Sequence, residues 1–160
     1  MSVKVMTRDE LIPLLKAVRT QGKRLVFTNG CFDLMHIGHT RYLQAAKALG
    51  DVLVVGVNSD ASVRSLNKAP DRPIVSEAQR AEVVAALGCV DYVILFNEPD
   101  PQSLIAALQP DVLVKGGDWA VERIVGREIV EARGGVVKTI PLVPDMSTTS
   151  LIQRIRAQSI

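Results

Sequence analysis

Several features that would mark a specialised class of protein are scarce in this chain of 160 residues. It has two cysteines, Cys31 and Cys89, which are too few for a disulfide framework and do not form a metal-binding pattern. No apolar run reaches the ~18 residues of a membrane-spanning helix, and the opening residues lack the apolar segment of a signal peptide. The net charge of +2 does not suggest a nucleic-acid-binding surface. We therefore expect a cytoplasmic protein that contacts neither membranes nor nucleic acids.

The remaining composition is ordinary for a globular protein, with 48% hydrophobic and 22% charged residues. A chain of this length favours a single domain, and no repeat, low-complexity tract or linker divides it. We expect one domain over residues 1–160, with an N-terminal helix within 1–22 and a C-terminal helix within 147–157.

Short apolar runs alternate with helical patterns along the chain. Strands are predicted at 24–28, 51–57, 91–96, 111–114 and 136–140, and helices at 7–22, 39–49, 76–87, 101–108, 122–132 and 147–155. The predicted helix starts are marked by a capping box of Thr7 with Glu10, by Ser76, by Pro101 in a first turn, and by Ser147 or Thr148. Strands that are apolar throughout indicate a parallel sheet with both faces covered. The pattern therefore predicts an α/β fold, a doubly wound five-stranded parallel sheet of the Rossmann-like type. In such folds the ligand binds beyond the carboxyl ends of the strands.

One segment after the first predicted strand, residues 28–39, reads TNGCFDLMHIGH. Gly30 permits a tight turn, and backbone N–H groups there and at the next helix start can bind an anion. His36 and His39, three residues apart, would share one face of a helical turn, with Gly38 allowing close approach of a ligand. Two imidazoles aimed at one point can donate hydrogen bonds to phosphate oxygens. The plainer alternative is two unrelated surface histidines, and zinc is disfavoured because no third ligand has suitable spacing.

The motif Phe32-Asp33 followed by His36-Ile-Gly-His39 resembles the signature of the HxGH nucleotidyltransferase superfamily. Later segments narrow the match. The ordered set that includes Asn58-Ser-Asp60, Lys115-Gly-Gly-Asp-Trp119 and Ser147-Thr-Thr149 is similar to that of the heptose 1-phosphate adenylyltransferases in their stand-alone form. The resemblance covers about residues 24–156 and implies the Rossmann-like nucleotidyltransferase fold.

This resemblance implies a reaction as well as a fold. AMP would pass from ATP to D-glycero-β-D-manno-heptose 1-phosphate, giving ADP-heptose and pyrophosphate for lipopolysaccharide core synthesis. Mg²⁺ would accompany ATP, held by the substrate phosphates and not by protein ligands. A cytidylyl- or guanylyltransferase acting on another sugar or polyol phosphate is the alternative, and a non-catalytic nucleotide sensor is a third. The resemblance also favours a homodimer.

Together with their positions after the predicted strands, the resemblance suggests roles for individual residues. His36, His39 and Lys115 are expected to be catalytic. The residues expected to bind the nucleotide are Thr28, Asn29, Gly30, Cys31, Phe32, Gly38, Gly116, Asp118, Ser147, Thr148 and Thr149. The residues expected to bind the acceptor are Asp33, Asn58, Lys68, Arg72, Arg80 and Trp119.

Plainer roles remain open for some of these residues. Trp119 could fill the core instead of stacking on a base. Arg80 could pair with Glu77, one helical turn back, instead of binding a phosphate. The segment 67–73, which carries Lys68 and Arg72, is either a solvated loop or a mobile flap that brings positive charge to the phosphates.

One departure from the related cytidylyltransferases concerns charge. Those acting on glycerol phosphate or choline phosphate carry an arginine shortly before the Ser-Thr pair, and Leu142 takes its place here. This difference counts against those acceptors. It also requires another cation, Lys115 or Arg72, to supply the missing charge.

Overall fold

The computed structural model describes residues 1–117 and 119–158, in which helices alternate with the strands of a parallel sheet. The strands are β1 (Leu25–Gly30), β2 (Val52–Asn58), β3 (Tyr92–Phe96), β4 (Val112–Gly116) and β5 (Val136–Ile140). The helices are α1 (Arg8–Thr20), α2 (Ile37–Lys47), α3 (Asp60–Ser65), α4 (Glu77–Ala85), α5 (Gln102–Leu108), α6 (Arg127–Glu131) and α7 (Thr148–Gln158).

The sheet has the order β3-β2-β1-β4-β5. The central strand β1 pairs with β2, where Leu25 lies opposite Val52, and with β4, where Val26 lies opposite Val112. The winding direction reverses between β1 and β4, which opens a crevice beyond their carboxyl ends. The predicted doubly wound, five-stranded parallel sheet is confirmed.

Both faces of the sheet are buried, which explains why its strands are apolar throughout. On one face Leu25 and Phe27 pack in a cluster with side chains of α1 and α5. On the other face Val26 packs in a second cluster with Leu43 of α2 and Val84 of α4. Because successive strand residues point to opposite faces, a strand covered on both sides needs apolar residues at every position.

The helix starts follow the predicted capping residues in part. The Glu10 carboxylate accepts a hydrogen bond from the Thr7 N–H at 2.8 Å, and the Glu10 N–H donates to Thr7 Oγ1 at 3.3 Å, which confirms the predicted start of α1. Ser76 is the N-cap residue of α4, although among the described residues its side chain makes no capping hydrogen bond. Pro101 occupies the N-cap position of α5 and not its first turn.

Two segments differ from the prediction. No element was predicted between 57 and 76, but Asp60–Ser65 forms α3, where Ser59 Oγ accepts the Ser62 N–H at 3.1 Å. The helix predicted at 122–132 is divided into a 3-10 turn, Val121–Arg123, and the shorter α6. Gly126 separates them with a φ of 89°, a left-handed conformation that interrupts a helix.

The domain boundaries remain a prediction, since the sheet itself spans residues 25–140. None of the helices in the described ranges is both long and apolar enough to cross a membrane.

The burial of β4 leads to a stability prediction. Leu113 is fully buried, so Leu113→Ala should lower the free energy of unfolding by roughly 2–5 kcal/mol through lost burial and the cavity left behind. Urea denaturation measures this change. Val83→Ala, at a half-exposed position of α4, is the control and should cost far less. Equal losses in the two variants would contradict the core assignment.

Candidate active site

Two adjoining cavities open beyond the carboxyl ends of β1 and β4. The first, here the histidine cavity, has a volume of about 370 Å³ and contains His36 and His39. The second, here the lysine cavity, has a volume of about 440 Å³ and contains Lys115. The two cavities share a wall formed by Asn29, Gly30, Cys31, Lys68 and Gly116. The two cavities meet at these residues and together occupy the crevice expected from the sheet topology.

Most of the residues predicted from the sequence lie around these cavities. Besides the shared wall, the histidine cavity is lined by Phe32, Asp33, Gly38, Arg72, Ser147, Thr148 and Thr149. The lysine cavity is lined by Asn58 and Trp119. Thr28 and Arg80 line neither cavity. Asp118 lies outside the described residues, so its expected nucleotide contact stays a prediction.

The two histidines lie side by side, as predicted, but they do not both belong to a helical turn. His36 is the N-cap residue of α2 and not part of its first turn, and His39 is the third helical residue. Their rings stack with centroids 3.9 Å apart. The Gly38 N–H donates to His36 Nδ1 at 3.1 Å, and the His36 N–H donates to His39 Nδ1 at 3.4 Å. Since Nδ1 is the acceptor in both, each neutral ring carries its proton on Nε2 and can donate it to a ligand.

Burial keeps both imidazoles neutral. It lowers the pKa of His39 to about 4, with a further contribution from the neighbouring His36 and Arg72. Burial also lowers the pKa of His36. At neutral pH the pair therefore presents hydrogen-bond donors without positive charge, and the cations of the site come from other residues.

Asp33 is held by the chain itself, in contrast to the expected contact with the acceptor. Its carboxylate accepts hydrogen bonds from Arg72 Nε at 2.7 Å and from the N–H groups of Ile74 and Val75 at 2.8 and 2.9 Å. Burial raises the pKa of Asp33, but these bonds outweigh it and leave the pKa below its usual value. Asp33 thus positions the segment 72–75, which is anchored at this end and is not a free flap.

Arg80 lines neither cavity and binds groups of the chain itself, so its predicted substrate contact stays a prediction that this arrangement does not support. Its side chain is 1% exposed and donates to the carbonyl oxygens of Val75 and Cys31 and to the carboxylate of Asp60. The alternative pairing with Glu77 is wrong, because Glu77 instead accepts the Asp60 N–H at 2.6 Å.

Thr28 is another predicted ligand that has a structural role. It is fully buried, with Oγ1 2.6 Å from the Tyr42 hydroxyl and 3.0 Å from the Val114 carbonyl oxygen. Burial raises the pKa of Tyr42 to about 12, so this hydroxyl keeps its proton. The pair ties β1 to α2 and β4 beneath the histidine cavity.

The lysine cavity contains a half-buried cation, Lys115. Lys115 Nζ donates to Asn29 Oδ1 at 2.9 Å, and burial lowers the pKa of this lysine, assisted by the nearby charge of Lys68. Lys68 Nζ lies 3.8 Å from Cys31 Sγ in the shared wall. Within residues 1–117 and 119–158 neither lysine forms an ion pair. Two neighbouring cations without such a partner favour an anionic ligand.

The start of α7 closes the histidine cavity. Ser147 Oγ accepts the Ser150 N–H at 3.0 Å, which confirms the predicted cap. Thr148 Oγ1 donates to the Asp33 carbonyl oxygen at 2.6 Å, so its hydroxyl holds the loop and is not free for a phosphate. The positive end of the helix nevertheless faces the cavity, as an anion site requires.

Trp119 is 60% exposed and lines the lysine cavity, so it does not fill the core. Asn58 also lines this cavity and donates to Ser62 Oγ at 3.0 Å.

Sequence reasoning missed Tyr42 and Met146 as lining residues of the histidine cavity. Tyr42 carried only the signal of an apolar helix face, which does not distinguish core from cavity wall.

The described residues contain no group of three or more cysteine, histidine, aspartate or glutamate side chains that could hold a metal ion. The buried carboxylate in the cleft, Asp33, is occupied by hydrogen bonds.

Comparison with protein families gives a match over most of the chain, because the profile of the cytidylyltransferase-like family matches residues 27–154. The chain belongs to the cytidylyltransferase-like family. The resemblance seen in the HxGH segment is thereby confirmed at the level of the family.

Relatives and solved structures agree with this family. The chain is 56% identical to bifunctional protein HldE of Geotalea uraniireducens over 157 residues, which are 98% of this chain and 32% of that protein. It is 54% identical over 152 residues to bifunctional protein HldE of Syntrophotalea carbinolica, covering 95% of this chain and 31% of that protein. The chain thus spans about a third of the length of these relatives.

Two solved structures share the fold. A lipopolysaccharide core biosynthesis protein from Thermoplasma volcanium is 31% identical with a TM-score of 0.63, covering 76% of this chain and 98% of that one. A pantoate-beta-alanine ligase from Francisella tularensis has the same TM-score of 0.63 at 13% identity, covering 99% of this chain and 80% of that one, and supports the fold alone.

The low pKa of His39 predicts how stability depends on pH. An unfolded histidine titrates near 6.5 and the folded one near 4, so the unfolded state binds the proton first as the pH falls. The free energy of unfolding should therefore decrease as the pH is lowered through this interval. His39→Gln should lose less stability than the unmodified chain between about pH 7.5 and about pH 5 in urea denaturation. Arg41→Gln, at an exposed position of α2, is the control, and an unchanged pH dependence in His39→Gln would contradict the assignment.

Proposed function

We propose that this chain transfers AMP from ATP to D-glycero-β-D-manno-heptose 1-phosphate, forming ADP-heptose and pyrophosphate. The observation that carries the proposal is the pair of cavities with one common wall at residues 29–31. Neutral imidazole donors line the first cavity, and the half-buried Lys115 lines the second. Such an arrangement suits two phosphate-bearing substrates that must meet at one point.

The choice of acceptor rests on the resemblance of the chain and on its relatives. The ordered motifs after the strands resemble those of heptose 1-phosphate adenylyltransferases, and one solved relative is named a lipopolysaccharide core biosynthesis protein. The HldE relatives are named bifunctional, and the chain matches about a third of their length. The proposal therefore concerns one activity within that third.

On the nucleotide side, the histidine cavity would receive the triphosphate. The Nε2–H groups of His36 and His39 would donate to phosphate oxygens as negative charge develops in the transition state. Backbone N–H groups at the start of α7 would hold the same phosphates. Gly38 gives the His36 ring room, because a Cβ at this position would lie 2.8 Å from atoms of that ring.

On the acceptor side, Lys115 and Lys68 would bind the sugar phosphate in the lysine cavity. Its phosphate oxygen would attack the α-phosphorus of ATP, and the bond from that phosphorus to the bridging oxygen of pyrophosphate would break. The electron pair leaves with pyrophosphate, and no covalent enzyme intermediate forms. The chain's contribution is alignment of the two substrates and stabilisation of charge. Either Lys115 or Arg72 would supply the charge lost where Leu142 replaces an arginine.

Other parts of the proposal follow from the same family resemblance. ATP would enter with its own Mg²⁺, coordinated by phosphate oxygens and water. Asn58 and Trp119 would contact the sugar, and Arg72 would contact phosphate. We further propose a single domain, a homodimer and a cytoplasmic location.

The experiment that tests the function is a matrix of substrates. The protein is mixed with each of ATP, CTP, GTP and UTP and with heptose 1-phosphate or glycerol 3-phosphate, and pyrophosphate release and product mass are measured. ADP-heptose from ATP is the expected product. A cytidylyl product would support the alternative that the family's description suggests, and ATP binding without turnover would support a sensor.

Loss of one donor should slow the reaction strongly. His39→Ala should lower kcat by about 10²–10³, the size typical of removing one transition-state hydrogen bond. Circular dichroism and ATP titration check that the variant is folded and binds nucleotide. Near-normal turnover in a folded His39→Ala protein would contradict the catalytic assignment.

The assignment of Lys115 to the acceptor side predicts which substrate will have a raised KM when this lysine is removed. Lys115→Met should raise the KM for heptose 1-phosphate by about tenfold or more, since a charge-assisted hydrogen bond is lost, and should change the KM for ATP much less. Lys16→Met, at an exposed position of α1, is the matched control. A larger effect on ATP would place Lys115 on the nucleotide side instead.

A further inference from the structure

Arg80 is a charged side chain enclosed as completely as the residues of the core. It is 1% exposed and is the largest fully buried side chain among the described residues, and the side chains next in size are apolar. Burial of a guanidinium is unfavourable unless hydrogen bonds and a counter-charge compensate it. The groups that bind Arg80 therefore show which part of the structure its burial stabilises.

Its three nitrogen atoms each bind a different segment of the chain. Nε donates to the Val75 carbonyl oxygen at 2.8 Å, Nη1 to the Cys31 carbonyl oxygen at 2.6 Å, and Nη2 to Asp60 Oδ1 at 2.7 Å. Val75 follows the segment that carries Lys68, Cys31 belongs to the wall shared by both cavities, and Asp60 begins α3 after β2. One planar group thus joins three segments around the cleft.

The hydrogen bonds of Arg80 complement those of Asp33. The Val75 N–H donates to Asp33 Oδ1 at 2.9 Å while the Val75 carbonyl oxygen accepts from Arg80, so both polar groups of this peptide are held. The backbone beside Cys31 and Asp33 is unusual, because their neighbours Phe32 and Leu34 have φ values of 50° and 47°. Such left-handed conformations in residues other than glycine persist only where surrounding contacts maintain them.

We propose that Arg80, paired with Asp60, is a positioning residue for nucleotidyl transfer. It sets the distance between the wall at Cys31, which both substrates would contact, and the segment at Val75 that leads back to Lys68. This inference rests on the proposed function. Arg80 touches neither substrate and acts through the two carbonyl oxygens that it holds.

The geometry distinguishes arginine from lysine at this position. A lysine keeps the positive charge but carries one ammonium group, which cannot span acceptors on three separate segments. Arg80→Lys therefore preserves charge while releasing at least one carbonyl. The start of α7 is tied to the loop by the hydrogen bond from Thr148 to the Asp33 carbonyl oxygen, and His36 and His39 are held by hydrogen bonds within residues 36–39, so Arg80 contacts neither element.

The first test compares kinetics of Arg80→Lys with the matched control Arg64→Lys, at an exposed position of α3. Arg80→Lys should lower kcat by about tenfold or more, because small displacements of aligned groups are costly, while the KM for ATP changes by less than about threefold. Asp60→Asn, which keeps the shape of the partner, should reproduce this pattern more weakly. The double variant should lose less than the product of the two separate losses.

The second test is hydrogen exchange on the same proteins, which needs no turnover. Arg80→Lys should accelerate amide exchange at residues 31–34 and 74–75 and leave β1, β2 and the control unchanged. Faster exchange throughout the sheet would show a role in stability alone and would overturn the proposal, as would an unchanged kcat in folded Arg80→Lys. If Arg80→Lys does not fold, Asp60→Asn carries the same two tests. Absence of product from the unmodified chain would refute the proposed function, whereas the exchange pattern would still report on the loop.

Discussion

The hydrogen bonds of Asp33 are the interaction on which the rest of the site depends. Its buried carboxylate binds Arg72 and the N–H groups of Ile74 and Val75, and its carbonyl oxygen accepts from Thr148. One residue of the β1–α2 loop thereby holds the segment before α4 and the first turn of α7. A carboxylate that accepts several hydrogen bonds in a buried place resists both protonation and displacement. The cleft is consequently closed on two sides by contacts within the chain.

The histidines and the lysine of the cleft differ in charge, because their surroundings differ. The stacked histidines accept backbone N–H groups at Nδ1 and stay neutral because burial disfavours their protonated forms. Lys115 is half-buried, and its ammonium group has the Asn29 amide oxygen as a partner. The uncharged imidazoles line one cavity together with Arg72, Lys68 lies where the two cavities meet, and Lys115 lines the other cavity. Each cavity therefore offers positive charge to a phosphate group, as a reaction between two phosphate-bearing substrates requires.

Much of the fold could be predicted because local rules and tertiary packing agree there. The five apolar runs became strands since both sheet faces are covered, and the capping box at Thr7 and Glu10 formed as expected. Prediction failed where a serine or a glycine fits a helix end and a loop equally well. Ser59 begins a helix where no element was predicted, and Gly126 divides a segment that was predicted to be one helix. In both cases the outcome depends on neighbouring elements and not on the local pattern.

The sequence by itself determined the class of fold, the edge of the sheet that carries the site and the residues that gather there. Periodicity and motif order are local properties of the chain, so they can be recognised without coordinates. Only the tertiary structure decided what each polar side chain does. It placed Asp33, Thr28 and Arg80 inside the framework and left Lys115 facing a cavity. A carboxylate, a hydroxyl or a guanidinium binds a substrate and a backbone group equally well. The choice depends on which partner the fold brings within hydrogen-bonding distance, and that distance joins residues far apart in the chain.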